Sequence, residues 1–126
     1  GGVPYSKVPS YLAMADAFAT ASNTEVHPLT VLEAIAAGLP VVGVKGPGVG
    51  DIIVDGRNGL LCDDDVANFS VRLHRIMSDA LLRARLAAQA RKDSEQYDIE
   101  VTTRRIVHCY EEAIASYRTR RAKERA

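Results

Sequence analysis

In the first half of the chain, short apolar runs typical of strands alternate with segments whose apolar residues recur at helical spacing. Apolar runs predict three short strands, at residues 16–22, 39–44 and 60–62. The middle run is apolar at every position, which is typical of a strand buried on both faces of a parallel sheet. Between the first two strands, apolar residues at helical spacing predict a helix over residues 29–37. A shorter helix over residues 9–15 comes before them, with Pro9 in its first turn, where no N–H is needed.

Glycine and proline mark where these elements end. Gly38 follows the helix at residues 29–37 and is suited to a left-handed residue after its last turn. Pro40 must lie at the start of its strand, since proline cannot donate to a central ladder. Residues 45–50 (KGPGVG) predict a glycine-rich loop, and residues 55–59 (DGRNG) predict a tight turn.

The second half of the chain, residues 63–126, has no glycine or proline and predicts helices throughout. Aspartates mark the expected starts of three helices, with one of Asp63, Asp64 and Asp65 as the first N-cap, followed by Asp79 and Asp98. The apolar residues at helical spacing are Val66, Phe69, Leu73, Ile76 and Met77; Leu82, Leu86 and Ala90; and Ile99, Ile106, Tyr110, Ile114 and Tyr117.

Strands that alternate with helices imply right-handed crossovers and a mostly parallel sheet. The expected fold is α/β: a partial doubly wound, Rossmann-like parallel sheet of three to four short strands with flanking helices and a helical C-terminal half. Residues 1–126 would form a single partial domain, with an α/β core at 1–62 and helices at 63–126. Ligands bind such sheets at the carboxyl ends of the strands, which directs attention to residues 22–30 and 45–50.

Composition and charge exclude several classes of protein. The 126 residues carry 16 basic and 16 acidic side chains, so a general electrostatic grip on nucleic acid is not expected. The apolar runs are too short to span a bilayer. The three histidines lack metal-ligand spacing, and no metal site is expected. Cys62 and Cys109 form no CxxC pair, and both are expected to be buried or half-buried free thiols.

Glu25 and Glu33 are the residues most suggestive of chemistry. Glu25 falls in the predicted turn after the first strand, and Glu33 lies within the following helix. Carboxylates accept hydrogen bonds from sugar hydroxyls, and a helix N-terminus attracts phosphate. A nucleotide sugar offers both groups. Spacing alone, however, favours the simpler interpretation of two solvated acids.

The surrounding motif strengthens the interpretation of Glu25 and Glu33 as part of a nucleotide-sugar site. Residues 15–61 resemble the donor-binding half of GT-B retaining glycosyltransferases of family 4 (glycosyl transferases group 1). The likeness lies in an E-x7-E pair leading into LEAIAAGLPVV, then a glycine-bearing loop and the DGRNGLL turn. The residues flanking this stretch, from Gly2-Val3-Pro4 to the segment SEQYDIEVTTRRIVHCYEEAI, also resemble the family.

The resemblance implies a role for each matching position. Glu33 would hydrogen-bond the ribose hydroxyls, and Glu25 would contact the transferred sugar as the catalytic position. Backbone amides around Leu29 and Thr30 would face the diphosphate. His27 either touches the donor or is a surface turn histidine, and the His27-Pro28 pair replaces a flexible Phe-Gly of the family. No metal or other cofactor is implied beyond the nucleotide-diphosphate sugar donor.

The resemblance also implies that the chain is a fragment. The family's acceptor site lies in an N-terminal domain, and its leaving-group Arg/Lys pair has no counterpart here, so these residues alone are expected to be inactive. In the family's strand order, 3-2-1-4-5-6, the first strand here would be the fourth. Without its usual neighbour it would expose an edge that favours self-association.

Several alternatives remain open at this stage. A nucleotide-sugar epimerase of GT-B-like fold and a non-catalytic nucleotide-sugar-binding module would share much of this pattern. The expected location is cytoplasmic. The basic tail at residues 118–126 is either a solvated helix end or a weak contact with anionic lipid at the inner face of the membrane.

Overall fold

Three short parallel strands form the sheet in the computed structural model, which describes residues 2–123. The strands are β1 (Phe18–Thr20), β2 (Val41–Val44) and β3 (Gly59–Cys62), in the spatial order β1-β2-β3. Phe18 pairs with Val41, and Val42 pairs with Leu60, with parallel register on both sides of β2. The expected α/β class with a short parallel sheet is therefore confirmed.

Helices connect the strands and fill the second half of the chain. They are α1 (Val8–Ala13), α2 (Leu29–Ala36), α3 (Val49–Ile52), α4 (Val66–Ser78), α5 (Ala80–Ser94) and α6 (Ile99–Lys123), with 3-10 turns at Tyr5–Lys7 and Glu95–Tyr97. The chain divides into two compact units, residues 1–94 and 95–126. The sheet and α1–α5 belong to the first unit, and α6 belongs to the second.

The core of the first unit lies where the sheet meets α4 and α5. Val42, Leu60, Ile76, Leu82 and Leu86 form one buried cluster. Every residue of β2 is buried, as its continuous apolar run predicts. The buried face of α5 matches the expected spacing, because Ala90 lies two turns beyond Leu82 and is also fully buried.

Gly38 ends α2 with the geometry that the sequence predicts. Its φ of 80° lies in the left-handed region, where a residue without a Cβ is favoured. The Gly38 N–H donates to the Ile35 carbonyl, and the Leu39 N–H donates to the Ala34 carbonyl. This is the Schellman arrangement, which returns the chain directly into β2.

The predicted aspartate caps are confirmed. Asp65 is the one of the three consecutive aspartates that caps α4, and it accepts from the Asn68 N–H at 2.9 Å. Asp79 accepts from the Leu82 N–H at 2.9 Å, and Asp98 accepts from the Glu100 N–H at 2.8 Å. These bonds satisfy amide groups that the first helical turns leave unpaired.

Some expectations about helices and burial were wrong. The glycine-rich loop expected through residue 50 gives way to α3 at Val49, because Asp51 accepts from the Gly48 N–H and a short helical turn follows. Val66 and Met77 are exposed, because only part of the apolar face of α4 contacts the core. Cys62 is buried, but Cys109 is exposed, because the apolar stripe of α6 has no buried residue within the described part of its unit.

The described helices and side chains bear on membrane and metal chemistry. Among residues 2–123, no helix is both long enough and apolar enough to cross a bilayer. The same part of the chain contains no cluster of three or more potential metal-ligating side chains. Of the basic tail, residues 124–126 lie outside the described residues.

Candidate functional site at the carboxyl edge of the sheet

The segments that follow the three strands meet at one edge, because parallel strands end on the same side of a sheet. The Asn23 side chain, after β1, donates to the Asp64 carboxylate, after β3, at 2.7 Å. The loop after β2 lies between them. A Cβ atom at Gly46 would lie 2.8 Å from the carbonyl oxygen of Asn23. Close approach of these loops therefore requires glycine at this position.

Gly48 holds the same loop against the segment that carries Glu25. Its φ is 79°, and a Cβ atom there would collide with the Glu25 carbonyl oxygen and lie 3.0 Å from the Pro28 ring. The Glu25 backbone is thus fixed by packing against the loop after β2. The glycine-rich loop therefore shapes the edge through its lack of side chains at Gly46 and Gly48.

Glu25 is half-buried at the end of the segment that follows β1. One of its carboxylate oxygens accepts from the Ser22 hydroxyl at 2.9 Å. Ser22 in turn is held by its backbone N–H, which donates to the Thr20 hydroxyl at 3.3 Å. The carboxylate is therefore oriented from the end of β1, and its second oxygen has no hydrogen-bond partner among the described residues.

Glu33 lies in the second turn of α2 and is also half-buried. Its Oε1 accepts from the Tyr5 hydroxyl at 2.8 Å. This bond, together with the negative charge of Glu33, raises the pKa of Tyr5. Glu33 also borders a mostly apolar cavity of about 410 Å³ between α1 and α2, whose other lining residues are Tyr5, Val8, Pro9, Leu12, Ala13, Ala36 and Ala37.

Leu29 and Thr30, the first two residues of α2, are exposed, whereas Pro28 before them is buried. Pro28 is the N-cap of α2 and contributes no side-chain cap, while the Val31 and Leu32 N–H groups donate to the Pro28 carbonyl. The N–H groups of Leu29 and Thr30 have no partner in the described part of the chain. Such free amides, at the positive end of the helix dipole, can donate hydrogen bonds to an anion.

The predicted residues fall into two groups. Glu25, His27, Leu29 and Thr30 follow one another along the segment from β1 into α2, and His27 is exposed there. Glu33 lies one turn further along the helix and borders a cavity to which Glu25 does not contribute. The two carboxylates have different partners, so their joint action on one ligand stays a prediction.

Sequence reasoning missed three contributors to the site: Tyr5, Ser22 and the Asn23–Asp64 link. Ser22 had a local signal, since it lies three residues before Glu25 in a segment of turn-forming residues. Tyr5 and Asp64 had none, because they are 28 and 41 residues away from their partners. Only the fold brings them together.

A second, polar cavity lies near the ends of β2 and β3. It measures about 230 Å³, and its lining residues are Lys45, Asp55, Leu61, Cys62, Asp63 and Arg72. The formal charges of its two basic and two acidic side chains balance. The Nη2 atom of Arg72 lies 3.8 Å from the Oδ2 atom of Asp55. Burial raises the pKa of the Cys62 thiol.

Comparison with known proteins shows the family to which the chain belongs. The family model described as Glycosyl transferases group 1 matches residues 1–93. The chain therefore belongs to the glycosyl transferases group 1 family. It is 33% identical over 114 residues to D-inositol 3-phosphate glycosyltransferase of Salinispora tropica, covering 90% of this chain and 24% of that protein. The chain spans 19–26% of the length of such curated relatives.

Solved structures share the fold. The C-terminal domain of a group 1 glycosyl transferase family protein, LpcC from Francisella tularensis, has a TM-score of 0.71 and 28% identity, covering 79% of this chain and 52% of that one. Anabaena HepE in complex with UDP has a TM-score of 0.77 and 23% identity, covering 83% of this chain and 30% of that one. The match to a C-terminal domain agrees with the resemblance seen in the sequence.

Proposed function

We propose that this chain is the donor-binding part of a retaining glycosyltransferase, in which Glu33 binds the ribose of a nucleotide-diphosphate sugar and Glu25 contacts the sugar to be transferred. The observation that carries the proposal is the placement of both glutamates. One lies in the segment at the carboxyl end of β1, and the other lies one turn inside the helix that the segment enters. Membership of the glycosyl transferases group 1 family supports the reaction class.

The chemistry of the edge suits each part of such a donor. A carboxylate can accept from two neighbouring hydroxyls, as a ribose diol requires. The free N–H groups of Leu29 and Thr30 would face the diphosphate, and the helix dipole favours its negative charge. His27 is exposed beside them and is within the same segment. UDP is present in the HepE structure, which shares the fold with this chain.

The proposed reaction replaces one bond to the anomeric carbon with another. The bond from this carbon to the diphosphate oxygen breaks, and the oxygen of an acceptor hydroxyl forms the new bond with the same anomeric configuration. The hydroxyl proton leaves with the diphosphate, whose charge needs electrostatic support. The cation pair expected to give that support has no counterpart in this sequence, so residues 1–126 alone are expected to transfer no sugar. We propose that the site works without a metal.

Calorimetric titration of the full-length protein that contains this chain tests the two roles separately. UDP, GDP and ADP, and the glucose derivative of each, serve as probes. Glu33→Ala should weaken binding of the nucleotide and of its sugar derivative by about 10-fold or more, because hydrogen bonds to a charged group each contribute about 1.5–3 kcal/mol. Glu25→Ala should leave nucleotide binding unchanged and weaken only the sugar derivative.

Glu111→Ala, at an exposed glutamate of α6, is the matched control and should bind like the unmodified protein. If all three variants bind alike, neither glutamate holds the donor and the proposal fails. Retention has its own test, the anomeric configuration of the product, and an inverted product would contradict it.

A further inference from the structure

Tyr5 is the only described residue whose side chain bonds to the Glu33 carboxylate. Its hydroxyl donates to Oε1 at 2.8 Å, across 28 residues of sequence. The tyrosine lies in the 3-10 turn before α1, and its ring borders the apolar cavity beside α2. No turn or helix periodicity requires this contact, so it is a feature of the tertiary structure.

The contact leaves most of the carboxylate available. An ionised carboxylate has two oxygens and about four acceptor positions, of which the Tyr5 hydroxyl takes one. Oε2 has no partner among the described residues. A diol can therefore bind while the tyrosine remains in place, and no bond has to be broken first.

The contact also restricts the side chain that would bind the diol. A free glutamate side chain loses rotamer entropy when it is held in one conformation. Tyr5 is itself exposed, but its ring borders the cavity, and a charge-assisted hydrogen bond from its hydroxyl can favour one conformation of Glu33 before a ligand arrives. The same contact raises the pKa of Tyr5, so the hydroxyl remains a donor at neutral pH.

We propose that Tyr5 is a positioning residue for the nucleotide ribose, whose hydroxyl holds the Glu33 carboxylate in the orientation that accepts the diol. This inference rests on the proposed function, in which Glu33 binds ribose. Tyr5 acts only through Glu33 and does not touch the reacting atoms. Its effect should appear in the affinity for the nucleotide and should depend on the ribose hydroxyls.

The test compares Tyr5→Phe with Tyr11→Phe in the full-length protein. Tyr5→Phe keeps the ring at the cavity and removes only the hydroxyl. Tyr11 is an exposed tyrosine of α1 that has no side-chain hydrogen bond in the described structure, so Tyr11→Phe is the matched control. Binding is measured with UDP, GDP and ADP in their ribose and 2′-deoxyribose forms, and Glu33→Ala is titrated in parallel.

The expected result is a threefold to tenfold loss of affinity for the ribonucleotide in Tyr5→Phe, and a loss of less than twofold for the 2′-deoxy form. Equal losses for both forms, or no loss beyond that of Tyr11→Phe, would overturn the role of Tyr5 while Glu33→Ala still weakens binding. If Glu33→Ala has no effect, or if the unmodified protein binds none of the nucleotides, the proposed function fails and the inference fails with it. Thermal unfolding of Tyr5→Phe should match that of Tyr11→Phe, which separates positioning from stability.

Discussion

At the scale of single residues, Arg57 and Asp93 form the best-defined ion pair of the first unit. The Arg57 guanidinium donates to both carboxylate oxygens of Asp93, at 2.9 and 2.7 Å, and Gln89 donates to the same carboxylate at 2.7 Å. The side chain of Asp93 is only 9% exposed. The pair joins the tight turn before β3 to the last turns of α5.

Asp93→Asn should lower the free energy of unfolding at neutral pH by about 1 kcal/mol, because Arg57 is more than half exposed and solvent screens the pair from that side. The hydrogen bond from Arg57 lowers the pKa of Asp93 below its ordinary value. The stabilisation is therefore complete above the unfolded pKa of about 3.9 and is lost as the pH falls through the lower folded pKa.

The measurement is thermal unfolding of both proteins between pH 3 and pH 8. The difference between them should be constant above pH 5 and should shrink below pH 4. Asp16→Asn, at an exposed aspartate without a hydrogen-bond partner among the described residues, is the control. A difference that grows on acidification would contradict the assignment of this pair.

At the scale of elements, the sequence predicts those features that depend only on neighbouring residues. The left-handed Gly38, the strand at the continuous apolar run and the three aspartate caps all depend on neighbouring residues, and the sequence predicts each. Exposure of Val66 and Cys109 depends on what packs against α4 and α6, which no periodicity contains. The Tyr5–Glu33 bond is likewise invisible in sequence, because it joins two distant segments.

The cap of α4 gives an element-scale prediction. Asp65→Ala should lower the free energy of unfolding by about 1 kcal/mol, because the Asn68 N–H loses its acceptor at the helix start. Asp63→Ala is a matched control two residues away, since Asp63 is exposed and its side chain makes no hydrogen bond with the described residues. Chemical denaturation measures both, and an equal effect of the two substitutions would show that Asp65 contributes only its charge.

At the scale of the whole molecule, the two outer strands differ in how their edges are protected. At β3, the outward N–H of Leu61 donates to the Asp55 carboxylate at 2.9 Å. At β1, Phe18 donates to the Pro40 carbonyl of the neighbouring segment, so the next residue, Ala19, directs its N–H and carbonyl away from β2. The outer edge of β1 has no strand beside it within residues 2–123.

Residues 1–126 alone should therefore self-associate through β1. Ala19→Lys places a charge on the open edge and should weaken association severalfold, whereas Ala15→Lys, just before the strand, should not. Sedimentation velocity over a tenfold range of concentration measures this. A monomer at every concentration would contradict the prediction.

The central claim, that the segment after β1 and the start of α2 together hold a nucleotide sugar, depends on all three scales. The glycine loop fixes the backbone of Glu25, Gly38 returns α2 into the sheet, and the sheet brings the three loops to one edge. The most direct measurement is a crystal structure of the full-length protein with a bound nucleotide sugar. The account predicts hydrogen bonds of about 2.6–3.2 Å between the Glu33 carboxylate and the ribose hydroxyls, with Glu25 beside the transferred sugar. A nucleotide bound away from both glutamates would contradict it.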